Sequence, residues 1–185
     1  GGLMGLVNGG LIAFARMPPF IVTLAAMMIA RGLAEVYTNG QTVSGLPASW
    51  NWLTGEIYPF GPVLAVPVTA LVMLVVFAVL AGLAARTSFG RSIYAVGGNQ
   101  EAARLSGVNV ARVKLLVYAI SGALSGLAGV LLIFRLHGGI STNGDMYEMD
   151  AIAACVIGGT SLSGGVGTVG GTLIGILIMG CVRTG

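Results

Sequence analysis

The sequence predicts an all-α, polytopic transmembrane helical bundle with a broken, Gly-rich helix region near its C-terminal end. Three observations predict it. Apolar residues fill 56% of the 185 positions and charged residues 8%, against about 25% in a typical soluble domain. The mean hydropathy is +0.94. Charges also occur in clumps, leaving uncharged stretches at 57–85, 115–134 and 151–182 that reach the ~20 residues needed to cross hydrocarbon. Nine Lys and Arg with six Asp and Glu cannot solvate the surface of a soluble enzyme of this size. Disorder is excluded too, because it requires low hydrophobicity.

The elements follow in order. Residues 1–15 and 20–38 are apolar runs joined by Arg16-Met-Pro-Pro19, where Pro18 and Pro19 end one helix and open the next. Gly1–Ala15 has no basic leader and is not a signal peptide. Arg31 and Glu35 stand four apart on one face of the second helix. Residues 62–84 form the third span and 113–134 the fourth. Residues 151–184 are too long for one span, and Gly158–Gly171 is poor helix material, since Gly costs about 1 kcal/mol relative to Ala. Two helices with a break near 158–170 are expected there. Gly1 lies inside an apolar run and Gly185 closes another, so the chain is expected to be a fragment of a larger membrane protein.

Loop charge sets the orientation. Residues 85–114 carry Arg86, Arg91, Arg104, Arg112 and Lys114, while 37–60 and 136–150 carry no Lys or Arg. The positive-inside rule places 85–114 in the cytoplasm and the other two loops outside. Trp50, Trp52 and Tyr58 are expected as interface anchors. Arg135, His137, Asp145, Glu148 and Asp150 gather in the second outer segment, which is read either as a wet loop or as a docking surface whose acids set register.

The cytoplasmic loop carries the clearest local signals. Asn99 is a good N-cap, Glu101 and Arg104 complement the helix dipole, and Gly107 suits the C′ position. These predict a two-turn helix from Gln100 to Ser106, after which Asn109 caps the next span. A short, capped helix between two spans is a shape that another protein can grip.

Several motifs point away from chemistry. Gly165-Val-Gly-Thr-Val-Gly170 matches G-x-G-x-x-G but lacks the strand, helix and acid of a dinucleotide site. Irregular backbone at membrane depth is tolerated where it is buried in protein or faces water. The reading is therefore helix packing or a pathway lined by Thr160, Ser161, Ser163 and Thr168. Gly122 with Gly126 and Gly171 with Gly175 form G-x-x-x-G pairs that let helices approach closely. Cys155 and Cys181 sit in apolar runs without metal-ligand spacing, and His137 has no second ligand, so no metal site is expected. Lys114 is the sole lysine and follows Val113, so this chain cannot hold ATP through a Walker A lysine, and if transport is ATP-driven the ATPase is a separate chain.

Several tracts resemble the inner-membrane permease subunits of monosaccharide ABC transporters of the ribose, xylose and arabinose type. They are Asn8-Gly-Gly-Leu-Ile12, Pro18-Pro-Phe-Ile-Val-Thr-Leu24, Ala30-Arg-Gly-Leu33, Thr87-Ser-Phe-Gly-Arg91, Ala95 through Gly107, Asp150-Ala-Ile-Ala-Ala154 and Gly158-Gly-Thr-Ser-Leu162 with Gly164-Gly165. The similarity runs over nearly the whole chain. It implies a multi-pass subunit of the bacterial inner membrane that contacts lipid and pairs with a second permease copy. It further implies separate ABC ATPase subunits that bind ATP and Mg, and a periplasmic sugar-binding protein outside. No cofactor is expected in this chain, no nucleic acid partner and no enzymatic activity.

The resemblance assigns Gly98, Asn99, Glu101, Ala102, Ala103, Arg104, Leu105, Ser106 and Gly107 to an ATPase-coupling helix within the 85–112 loop. Glu101 and Arg104 would make rim contacts, and Ala102, Ala103 and Leu105 would enter a cleft. A rigid helix also transmits motion better than a loose loop. Alternatives are a branched-chain amino-acid permease, a channel or carrier without an ATPase, and a membrane scaffold. The uncharged spans disfavour the ion-coupled carrier, which needs ionisable residues at mid-membrane.

Overall fold

The structure is a computed structural model that describes residues 1–43, 56–57, 66–140 and 142–184. Among them are eight helices: α1 (Gly2–Ala13), α2 (Pro19–Thr38), α3 (Val68–Arg86), α4 (Ser88–Gly98), α5 (Gln100–Leu105), α6 (Val110–Leu136), α7 (Tyr147–Ile157) and α8 (Val169–Thr184). Two-residue strands β1 (Glu56–Ile57) and β2 (Val66–Pro67) pair antiparallel, and Val43 bridges Gly139. The fold is all-α otherwise, as composition predicts. Trp50, Trp52 and Tyr58 lie outside the described residues.

By length and composition, α2, α3 and α6 can each cross a membrane. Pro18 and Pro19 act as the sequence suggests: α1 has ended, and Pro19 occupies the first turn of α2. The third helix starts at Val68 rather than near residue 62. Val66 precedes a proline, which disfavours helix, and it takes extended pairing instead. The chain from 85 to 112 holds two helices rather than one. α4 was not anticipated, although Phe89, Ile93 and Val96 stand at helical spacing, with Val96 buried.

The chain divides into two compact units, Gly1–Met73 with Lys114–Asn143 and Leu74–Val113 with Gly144–Gly185. In the first, α1 runs antiparallel to α6 along a glycine face. Gly1 meets Gly126, Gly5 meets Tyr118 and Gly122, and Gly9 meets Leu115. A Cβ on Gly122 would lie 2.7 Å from the Gly5 Cα, closer than real contacts permit. The Gly122/Gly126 pair thus packs within the chain.

In the second unit, α7 and α8 form an antiparallel hairpin. Ala154 faces Gly175, Gly158 faces Gly171, and the Asp150 Oδ2 accepts a hydrogen bond from Arg183 Nη1 at 2.7 Å. The expected break at 158–170 is therefore a reversal that returns the chain toward its starting side. At 11 and 16 residues, each arm is shorter than a full span. Replacing Gly175 with Leu should open the hairpin at a cost of about 1–3 kcal/mol. Thermal unfolding in detergent should show a lower midpoint, whereas Gly170→Leu, which has nothing within 4 Å, should leave it unchanged.

Candidate functional site

Caps shape the region around α4 and α5. Thr87 is the single residue between α3 and α4. Its Oγ1 donates to the Leu83 carbonyl at 2.5 Å and accepts the Gly90 N–H at 3.1 Å, so it ends one helix and starts the other. Gly90 lies against Ala84, and a Cβ there would fall 2.6 Å from the Ala84 carbonyl carbon. Only glycine permits so sharp a turn. Asn99 Oδ1 accepts the N–H groups of Glu101 and Ala102, both at 3.0 Å. At the other end, Gly107 N–H donates to Arg104 and Val108 N–H to Ala103, both at 3.0 Å, with Gly107 at φ +83°. This is a Schellman closure. Asn109 then caps α6 through the Arg112 N–H at 3.0 Å.

The resulting two-turn helix has one inward and one outward face. Ala103 is buried in its own chain, so it is not free to enter a partner. Leu105 is 87% exposed, and Gly98, Asn99, Glu101, Ala102, Arg104, Ser106 and Gly107 are exposed with it. Leu105 is thus an exposed apolar side chain one turn after Glu101 and next to Arg104 in the sequence.

Sequence reasoning missed how α4 meets the 158–168 turn. Gly97 and Gly98 pack directly on Gly164 and Gly165. A Cβ on Gly97 would lie 2.8 Å from the Gly165 nitrogen, and one on Gly164 would lie 2.6 Å from the Gly97 oxygen. Gly164 and Gly165 also have φ of +92° and +77°, which L side chains rarely adopt. Tyr94 Oη donates to the Gly167 carbonyl at 2.9 Å. The G-x-G-x-x-G run therefore makes a backbone contact with α4.

The four hydroxyl residues expected to line a pathway lie in or beside this turn. Thr160, Ser161 and Thr168 border a cavity of about 390 Å3 together with Ile93, Tyr94 and Thr172, whereas Ser163 does not. The Ser161 and Ser163 hydroxyls bond each other at 2.8 Å. Thr168 Oγ1 accepts the Gly171 N–H at 3.0 Å and so caps α8. Much of their hydrogen-bonding capacity goes into the shape of the turn. At the far end of the hairpin, the Arg183 guanidinium stacks 5.2 Å from the Tyr147 ring centroid while pairing with Asp150. Asp150 thus has an intrachain partner.

Substituting Asn99 with Ala should destabilise α5 by about 1 kcal/mol through loss of the cap. Hydrogen exchange should then speed up at the amides of Glu101 and Ala102, with little change in α8.

The family model described as branched-chain amino acid transport system / permease component matches residues 1–185. The ribose import permease protein RbsC of Bacillus subtilis is 48% identical over 96% of this chain and 54% of its own length. The Escherichia coli K12 ribose import permease protein RbsC is 43% identical over 100% and 57%, respectively. The xylose transport system permease protein XylH of the same strain is 39% identical over 99% and 61%. The chain thus spans somewhat more than half the length of these relatives. No solved structure gives a significant match.

Proposed function

The chain belongs to the branched-chain amino acid transport system / permease family, a family of multi-pass ABC transporter permeases that includes ribose and xylose import permeases, and from that premise we propose that it is part of the translocation subunit of an ATP-driven monosaccharide importer of the bacterial inner membrane. ATP and Mg are held by separate ATPase subunits, a periplasmic binding protein delivers the sugar, and a second permease copy completes the path. The chain itself performs no covalent step.

The observation that carries this reading is α5. It is capped at both ends, and it presents exposed Leu105 one turn after Glu101 and next to Arg104 in the sequence. Leu105 and Ala102 seat in the ATPase cleft, and the two charges set its register. Gly98, Asn99, Ser106 and Gly107 hold the helix ends, and Ala103 ties the helix to its own unit. Movement of α5 passes through Asn99 to α4, and from Tyr94 and Gly97 to the turn that joins α7 and α8. Thr160, Ser161 and Thr168 border the sugar pathway at that turn, and Ser163 braces it through its hydrogen bond with Ser161. ATP binding in the partner biases inward- and outward-facing states through this connected element.

In the full-length permease assembled with its partners, Glu101→Lys or Arg104→Glu should lower the sugar uptake rate about tenfold, as loss of ~1.4 kcal/mol of docking energy would. Membrane insertion should be intact and ATP hydrolysis should no longer track substrate. Unchanged uptake in both variants removes the coupling role. A cysteine at position 99 should react with an impermeant thiol reagent only from the cytoplasmic side. Tyr94→Phe should reduce uptake per ATP hydrolysed while ATPase binding is retained; equal loss of both overturns the α4 relay. A substrate panel of pentoses, hexoses and branched-chain amino acids separates the sugar reading from the amino-acid one.

A further inference from the structure

The first unit holds a cavity of about 510 Å3 between α1, α2 and α6. Asn8 of α1, Thr23 of α2, and Tyr118, Ser121 and Ser125 of α6 converge on it. Tyr118, Ser121 and Ser125 follow the helix repeat and line one face of α6. Thr23 at the cavity donates to the carbonyl four residues earlier, as Ser92, Ser106 and Thr172 do elsewhere in the chain. Among the described residues, the side chains of Asn8, Tyr118, Ser121 and Ser125 make no hydrogen bond; Asn8 and Tyr118 are half-buried, and Ser121 and Ser125 are exposed on the rim of the cavity. A carboxamide, a phenol and two hydroxyls therefore meet at this cavity without a hydrogen-bond partner among the described residues.

Such groups face protein or a polar path rather than acyl chains, because lipid offers them no partner. The composition of the lining narrows the occupant. It contains no Asp, Glu, Lys, Arg or His. An amino acid would bring a carboxylate and an ammonium and would need countercharges. A neutral polyhydroxylated solute needs only donors and acceptors, and an aromatic face for its C–H side.

We propose that the Asn8–Tyr118–Ser121–Ser125 cavity is a contact site for a neutral monosaccharide on its way through the permease, with Asn8 and the α6 hydroxyls exchanging hydrogen bonds with the sugar and the Tyr118 ring packing on its apolar face. The proposal rests on the importer reading and adds to it a site built by other residues of the chain.

The test uses the full-length permease in its reconstituted complex, with Cys155 and Cys181 replaced by Ser. Ser121→Cys, and separately Ser125→Cys, are treated with a water-soluble methanethiosulfonate reagent after uptake of D-ribose, D-xylose and L-arabinose has been measured for each. The cysteine should react, and the sugar imported fastest, at ten times its apparent Kd, should slow the reaction about tenfold. A cysteine that does not react in a complex that still imports sugar overturns the site, as does one that reacts at the same rate with and without sugar. In the first case another protein segment fills the cavity, and in the second water alone does. A complex that imports none of the three sugars overturns the importer reading, and the site falls with it.

Discussion

Close approach of helix backbones is the constraint on which the rest of the structure depends. Within a membrane, lipid tails are as apolar as leucine, so helices gain no hydrophobic advantage by associating. They are held by dense van der Waals contact, and that requires side chains small enough to let the backbones meet. α1 lies on α6 through Gly1, Gly5 and Gly9, and α7 lies on α8 through Ala154, Gly158, Gly171 and Gly175. The 31 glycines include those at these contacts, and their cost in helix propensity is offset by packing that larger residues cannot achieve.

The same principle explains why the Gly-rich segment is a tightly packed turn rather than a nucleotide loop. Gly164 and Gly165 have left-handed backbone, which lets the chain reverse between α7 and α8, and their lack of side chains lets Gly97 and Gly98 come into backbone contact. Tyr94 adds a hydrogen bond to the joint. The capped α5 helix is separated from α4 by Asn99 alone. Thr87 plays the matching part between α3 and α4.

Charge is placed with equal economy. α6 carries Arg112 and Lys114 in its first turns and Arg135 in its last, with an uncharged interior between them. In the hairpin, reversal brings Arg183 beside Asp150 and Tyr147, so the cation at the end of α8 meets an anion at the start of α7. Both groups are well exposed, and an ion pair of that kind adds little stability in water. Its value is in register, because it aligns the open ends of two short helices.

The sequence by itself determined the class of the protein, its long helices and its caps. Hydropathy and uncharged runs act locally, as does the hydrogen bonding of Asn99, Gly107 and Asn109 to neighbouring backbone, so short windows of sequence suffice to read them. α4 was legible in the spacing of Phe89, Ile93 and Val96, but the loop charges and the glycines at 90, 97 and 98 obscured it. Tertiary structure alone decided that the 158–168 break is a reversal, because glycine permits a kink and a turn equally, and the contact of Ala154 and Gly158 with α8 selects between them. It also decided which hydroxyls are engaged and which are unpaired. Ser161 and Ser163 bond each other, whereas Asn8, Tyr118, Ser121 and Ser125 come from helices distant in sequence and meet only when α1 packs on α6. That meeting depends on complementary shape between remote segments, which no local pattern encodes.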